Sequence, residues 1–354
     1  MKILVIQQKM IGDVLVSTIL CDNLRKKYPN AQIDYMVYQS TVAVLNGNTS
    51  IDNLILFEEK HRSNKWELFK LLLSIRKEKY DVVIDAYSKL ESWLVVVFSG
   101  AKMKISFKKK VIRYIYTDTI ERPRISATNY GLIIDERLAL LEPLHLNITL
   151  DPFPKIYVST EEQNFAERLF KEHEIDRSKK MVMISIIGSD MNKTYPLEYM
   201  SKLVDLIADT GDVNILFNYI PSQINEAKKV FENCKSTTQN KIYFSVLGKN
   251  LREFIAIMNK CDLIIGNDGG AINMAKALKK PCYIIFSPFI DKKGWATFED
   301  GINNISIHLS DFKPELFKNK SYKTLINESS SLYQEFTLDL IEPSLTTFLE
   351  NQLK

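Results

Sequence analysis

Three turns in this sequence hold residue types that could handle a phosphate-bearing substrate. The first runs Gln7-Gln8-Lys9-Met10-Ile11-Gly12-Asp13-Val14 and places one carboxylate, Asp13, at the start of a helical pattern. A carboxylate there is kept ionised by the helix dipole, as a general base requires. The same position also suits a helix cap or a simple dipole partner, and both readings stay open. The second turn runs from Gly188 and Ser189 to Lys193 and Pro196. Small residues let backbone amides approach an anion, and a lysine adds a point charge on phosphate, although a solvated loop lysine would look the same. In the third turn Asp268, Gly269, Gly270 and Ala271 follow an apolar run and open a helix. A glycine-rich helix start is an anion-binding terminus, or a tight turn that needs glycine dihedrals.

Other chemistries fit less well. The first turn has one glycine where a dinucleotide fold needs GxGxxG, and there is no Walker A motif. The cysteines (Cys21, Cys234, Cys261, Cys282) form no CxxC pair and sit in apolar patterns, as buried thiols do. The histidines (His61, His145, His173, His308) show no HxxxH or HExxH spacing, so no metal site is expected. A net charge of +4 is too small to imply nucleic-acid binding by itself. The basic run Lys102, Lys104, Lys108, Lys109, Lys110, Arg113 is either a solvated face or a seat for a phosphorylated or carboxylated acceptor at a membrane surface.

These turns must be positioned by strands and helices. Short β-rich runs alternate with helical patterns, which predicts βαβ units and parallel sheets. The 354 residues suit two domains. In the first half, strands are expected at 2–6, 33–38, 53–57, 82–86 and 104–107, with helices at 12–28, 66–78 and 92–98. In the second half, strands are expected at 181–187, 213–217, 242–246, 262–266 and 282–286. The helices between them fall at 197–209, 221–233, 251–259 and 271–278. A last helix, 332–354, is expected to return to the N-terminal domain, giving domains of 1–152 and 153–331. The opening apolar run ILVI is short for a signal peptide, and no stretch approaches the roughly 18 apolar residues of a membrane span. A cytoplasmic location is expected.

The three turns and their order resemble the bacterial lipopolysaccharide heptosyltransferases, glycosyltransferase family 9. The opening 36 residues or so, KILVIQQKMIGDVLVSTILCDNLRKKYPNAQIDYMV, carry the family's GD[VA]L signature. Residues 188–196 resemble its G-x-S-x-x-x-K-x-W-P, with Tyr195 for Trp. GNDGGAINMAKALKKPCYIIFSP resembles its G-N-D-T-G-x-x-H-L-A-A-A-L-G-x-P, with Gly269 for the threonine and Asn273 for the histidine. The resemblance implies an α/β protein of GT-B fold, two Rossmann-like domains facing a central cleft. It implies acceptor binding in the N-terminal half, with Gly12, Lys108, Lys109, Lys110 and Arg113 as acceptor contacts, and nucleotide-sugar binding in the C-terminal half. Asp13 falls on the family's catalytic aspartate, Lys193 on its phosphate-binding lysine, and Asp268, Gly269 and Gly270 on its diphosphate contact, with Gly188, Ser189 and Ala271 beside them. The implied reaction is inverting and metal-independent, without a cofactor, from ADP-heptose to a lipid-linked anionic glycan, with peripheral membrane contact and no nucleic acid. A sugar-nucleotide epimerase and a non-catalytic nucleotide-sugar-binding homologue are the rival expectations.

Overall fold

The computed structural model describes residues 1–110 and 112–354. The chain divides into two compact units, Met1–Tyr157 and Val158–Lys354. The division lies a few residues beyond the expected boundary.

The first unit is a six-stranded parallel sheet. Its strands are β1 (Lys2–Ile6), β2 (Gln32–Tyr38), β3 (Asn53–Phe57), β4 (Val82–Asp85), β5 (Met103–Phe107) and β6 (Asp118–Ile120), in the order β3-β2-β1-β4-β5-β6. Ile3, Leu4, Val5 and Ile6 are all fully buried, so β1 reads as an unbroken apolar run rather than an alternating one. The longer helices are α1 (Ile11–Lys27), α2 (Lys65–Glu78), α3 (Leu90–Ser99) and α4 (Leu132–Ala139). Leu72 and Ile75 of α2 and Val95 and Val96 of α3 meet Leu4, Ile6 and Val83 in one core. α4 packs on α1. Neither β6 nor α4 is anticipated by the sequence periodicity.

The second unit holds β7 (Lys180–Ser185), β8 (Val213–Asn218), β9 (Leu263–Asn267), β10 (Cys282–Ile285) and β11 (Asn304–Ile307), all parallel, in the order β11-β10-β9-β7-β8. Its longer helices are α5 (Thr160–Glu172), α6 (Leu197–Thr210), α7 (Ile224–Asn233), α8 (Leu251–Asn259), α9 (Gly270–Ala277) and α10 (Leu338–Gln352). Gly266 has φ +129°, and a Cβ there would lie 2.4 Å from the Ser185 carbonyl oxygen. A glycine is therefore what lets β9 close on β7.

Two expectations are corrected. α10 does not return to the N-terminal unit. Its Ile341, Leu345, Phe348 and Leu349 are buried in the core of the second unit, beside α6. The Tyr283 hydroxyl lies 2.6 Å from Ser344 Oγ. The apolar face of the helix is thus consumed within its own half. The strand expected at 242–246 is only a single bridge, Ile242 to Ile215. Phe244 instead turns into an aromatic group with Phe217, Tyr219 and Phe231, which ends the pairing after one residue.

Candidate active site

In an open parallel sheet, ligands bind at the carboxyl ends of the strands where the winding direction reverses. In the first unit that point lies between β1 and β4, where Ile6 pairs with Asp85. The Asp13 turn leaves β1 there. Asp13 sits in the first turn of α1, but the cap position is Met10, with no side-chain cap bond, so Asp13 is no N-cap. Its carboxylate meets a cation instead. Arg137 Nη2, from α4, lies 3.2 Å from Asp13 Oδ1. Arg137 Nε donates to Ser17 Oγ at 2.8 Å, which fixes the guanidinium. The Arg137 side chain is 4% exposed and that of Asp13 is 21% exposed. Burial pushes the Asp13 carboxyl above its ordinary value, and Arg137 is the main influence holding it down. Arg137 Nη1 is buried without a hydrogen-bond partner among the described residues, 3.8 Å from Glu136. Glu136 is in turn bound by Arg122 at 3.0 Å.

The turn after β4 is locked by Asp85. Its carboxylate accepts from the amides of Tyr87 (3.1 Å) and Ser88 (2.7 Å) and from the Tyr116 hydroxyl (2.7 Å). Of the basic run, Lys109 alone is tied to this turn, donating to the Ser88 carbonyl at 2.6 Å. Lys108 is paired with Glu121, and the Arg113 guanidinium lies 4.7 Å from the ring of Tyr114. Lys110 is exposed, and Gly12 is buried within α1. Lys108, Lys109 and Arg113 thus each have a partner of their own.

In the second unit the reversal lies between β7 and β9, where Ser185 pairs with Gly266. The turns after these strands are tied together. Asn267 Oδ1 accepts from the Tyr195 amide at 2.7 Å, and Asn267 Nδ2 donates to the Ser185 carbonyl at 2.9 Å. The Gly188 amide donates to Thr194 Oγ1 at 3.0 Å, and that hydroxyl donates to the Asp190 carbonyl at 2.8 Å. Gln223 Nε2 donates to the Gly188 carbonyl. Lys193 thus leaves a braced loop. Ser189 is exposed beside Asp190. Gly269 caps α9 without a side-chain bond, so the first-turn amides of Gly270 and Ala271 have no acceptor within the helix. Burial pushes the Asp268 carboxyl up to about 6, against the opposing charges of Lys276 and Lys193.

Arg137 and Lys276 are the residues that sequence reasoning misses. Arg137 occupies an inward position in the spacing Ile133, Ile134, Arg137, Leu140, Leu141, an arginine where periodicity calls for an apolar side chain. Lys276 stands where the family signature has alanine. It is buried on α9, donates to the Thr297 carbonyl at 2.6 Å, and lies 3.6 Å from Glu299.

The comparisons with known proteins bear on both halves. The sequence profile of glycosyltransferase family 9 (heptosyltransferase) matches residues 68–325. The chain belongs to that family. It is therefore a glycosyltransferase. Lipopolysaccharide heptosyltransferase 1 of Campylobacter coli is 24% identical over 309 residues, covering 86% of this chain and 89% of that protein. A family 9 glycosyl transferase crystal structure from Veillonella parvula has a TM-score of 0.74 at 20% identity, covering 94% of this chain and 97% of that one. The Escherichia coli heptosyltransferase WaaC with ADP-2-deoxy-2-fluoro heptose has a TM-score of 0.65 at 16% identity, covering 95% and 98%. The two-sheet GT-B fold is shared with these structures.

Proposed function

We propose that this transferase moves heptose from ADP-heptose to an anionic, lipid-linked core glycan, with inversion at the anomeric carbon. The observation that carries the reading is the Asp13–Arg137 pair: a carboxylate at the reversal point of the first sheet, part-exposed and backed by a buried guanidinium. The donor follows from the relatives, among them a heptosyltransferase bound to an ADP-heptose analogue. The acceptor class follows from the lipopolysaccharide heptosyltransferases the chain resembles.

In this mechanism Asp13 takes the proton from an acceptor hydroxyl while that oxygen attacks the anomeric carbon. The bond from that carbon to the β-phosphate oxygen breaks, and ADP leaves with the bonding pair. Lys193 and the amides of Gly270 and Ala271 receive the negative charge that grows on the diphosphate. That charge is met by protein donors, so the scheme has no metal step. No described helix is long and apolar enough to cross a membrane. The proposed workplace is the inner face of the inner membrane, held by peripheral contact.

The test mixes the purified chain with ADP-heptose and a core glycan lacking the terminal heptose. ADP release with a product of inverted configuration, read by NMR, is expected. Retained configuration would overturn the mechanism. Interconversion of the free sugar nucleotide without acceptor would mark an epimerase. Donor binding without turnover would mark a binding homologue.

A further inference from the structure

α2 and α3 pack side by side in the first unit, and each is apolar on two faces. One face of α2, with Leu72 and Ile75, fills the core, and Leu68 and Leu71 pack against it. That burial already satisfies the fold. Yet Trp66, Phe69 and Leu73, spaced i, i+3, i+7, point outward, and Trp66 is 72% exposed. α3 repeats the pattern. Val95 and Val96 face the core, while Leu90 and Val97 are exposed and Leu94 between them is half-buried. Leu94 still packs against the core, but Trp66, Phe69, Leu73, Leu90 and Val97 lie outside it, where a soluble helix would ordinarily carry polar residues.

The charges around the stripes are mainly basic. The two acids of α2 are engaged: Glu67 with Lys70 at 2.7 Å and Glu78 with Lys2 at 2.8 Å. Lys65, Arg76 and Lys77 are exposed along the helix and Lys79 follows it. Tryptophan, phenylalanine and leucine flanked by lysines suit an anionic bilayer interface, where rings sit at headgroup level and ammonium groups meet phosphate. A protein partner would not need this basic flank. Because α2 and α3 each follow a parallel strand, their N-terminal ends lie at the carboxyl edge of the first sheet. Trp66 and Leu90 stand at those ends, on the edge from which the Asp13 turn leaves β1.

We infer that the outer face of α2 and α3, centred on Trp66, Phe69, Leu73 and Leu90, docks on an anionic lipid bilayer. This deepens the proposed function, on which it rests for the lipid-linked acceptor. The face would bring such an acceptor to the edge of the sheet that carries Asp13.

The test is cosedimentation of the full chain with vesicles of phosphatidylcholine alone or mixed with phosphatidylglycerol. Wild type should bind the mixed vesicles, weaken as salt rises, and show a blue-shifted emission that is absent in Trp66→Phe. The triple change Trp66→Ser, Phe69→Ser, Leu73→Ser should lower binding by about tenfold or more. These side chains are outside the core, so circular dichroism should be unchanged. If the triple variant misfolds, Lys65→Glu with Lys77→Glu carries the test and should lose the phosphatidylglycerol-dependent part. Wild type that ignores both vesicles, or variants that bind as well as wild type, overturns the proposal. So does a wild type that self-associates through this face without binding vesicles. Turnover on a lipid-free acceptor fragment should be unchanged in the triple variant. If no transfer occurs at all, vesicle binding still stands or falls separately.

Discussion

Arg137 reaches from α4 to Asp13 in the first turn of α1, its Nη2 3.2 Å from the carboxylate, and Ser17 holds the guanidinium in place. The pair joins positions 124 residues apart in sequence. Arg137 is almost fully buried, so its charge acts on Asp13 with little screening from water. Burial alone would leave Asp13 inclined to hold its proton, and a protonated acid cannot accept another. The guanidinium opposes that effect. The pair therefore sets how low in pH the proposed base can work.

Replacing the carboxylate tests the base directly. Asp13→Asn should lower turnover by about two to four orders of magnitude, the usual worth of a general base. ADP binding, measured by calorimetry, should change little, because the proposed diphosphate contacts lie in the other unit. Turnover like wild type would remove Asp13 from the mechanism.

The pH profile tests Arg137. As the proposed base, Asp13 must be a carboxylate, so the rate should fall on the acid side as it gains a proton. Burial raises its pKa and Arg137 lowers it, so weakening the arginine moves that acid limb to higher pH. Arg137→Lys should therefore lose more activity at pH 6 than at pH 8. Arg137→Met should shift the limb further, with a stability cost of about 3 kcal/mol or more from stranding a buried charge. An acid limb that stays in place in the lysine variant would make Arg137 a structural residue only.

Much of this was readable in the residues. Ile3–Ile6, without alternation, marks a central parallel strand, and the glycines before Ala271 mark a helix start. What escaped is long-range. Arg137 belongs to a helix with no strong cap or long period, and its partner Asp13 is distant in sequence. Lys276 looks like a surface lysine until the fold buries it under Thr297 and Glu299. The last helix has an apolar stripe that says it must pack, but a stripe does not name its partner. The contacts of Lys108 with Glu121 and of Lys109 with the Ser88 carbonyl are likewise not visible in a run of adjacent lysines.

Asp268 should give the proposed donor site its own pH response. Its carboxyl is pushed up to about 6 by burial, with Lys276 and Lys193 opposing. The folded-state value lies above the ordinary one, so the proton is held at mildly acidic pH and lost as pH rises through about 6. A diphosphate anion beside it favours the protonated form. ADP affinity should therefore decline as pH rises through that range, and Asp268→Asn should flatten the dependence. Calorimetry from pH 5 to 8 decides it. An unchanged slope in the variant would assign the response to another group.

Lys193 should discriminate phosphate from base. Lys193→Ala should weaken ADP binding by about 1.5–3 kcal/mol, the range for hydrogen bonds to charged groups. Adenosine binding should hardly move. Equal losses for both ligands would mean that the lysine shapes the loop without touching phosphate.

Two glycines of the donor turns should respond in opposite ways. A Cβ at Gly188 would lie 2.2 Å from the Lys193 carbonyl oxygen, and backbone cannot swing aside as a side-chain end can. Gly188→Ala should destabilise the protein by about 1–3 kcal/mol, the cost of overpacking, and lower ADP affinity as the Lys193 loop is displaced. At Gly269 nothing lies within 4 Å of a Cβ, and φ is 165°, extended backbone open to any residue. Gly269→Thr restores the family signature and puts a hydroxyl at the cap of α9. It should leave stability unchanged or raise it by about a few tenths of a kcal/mol, with ADP binding at least as tight. Thermal unfolding and calorimetry on the two variants decide the matter. If Gly188→Ala behaves like wild type, the braced loop does not position Lys193. If Gly269→Thr loses ADP binding, the space at the α9 cap is itself part of the ligand site.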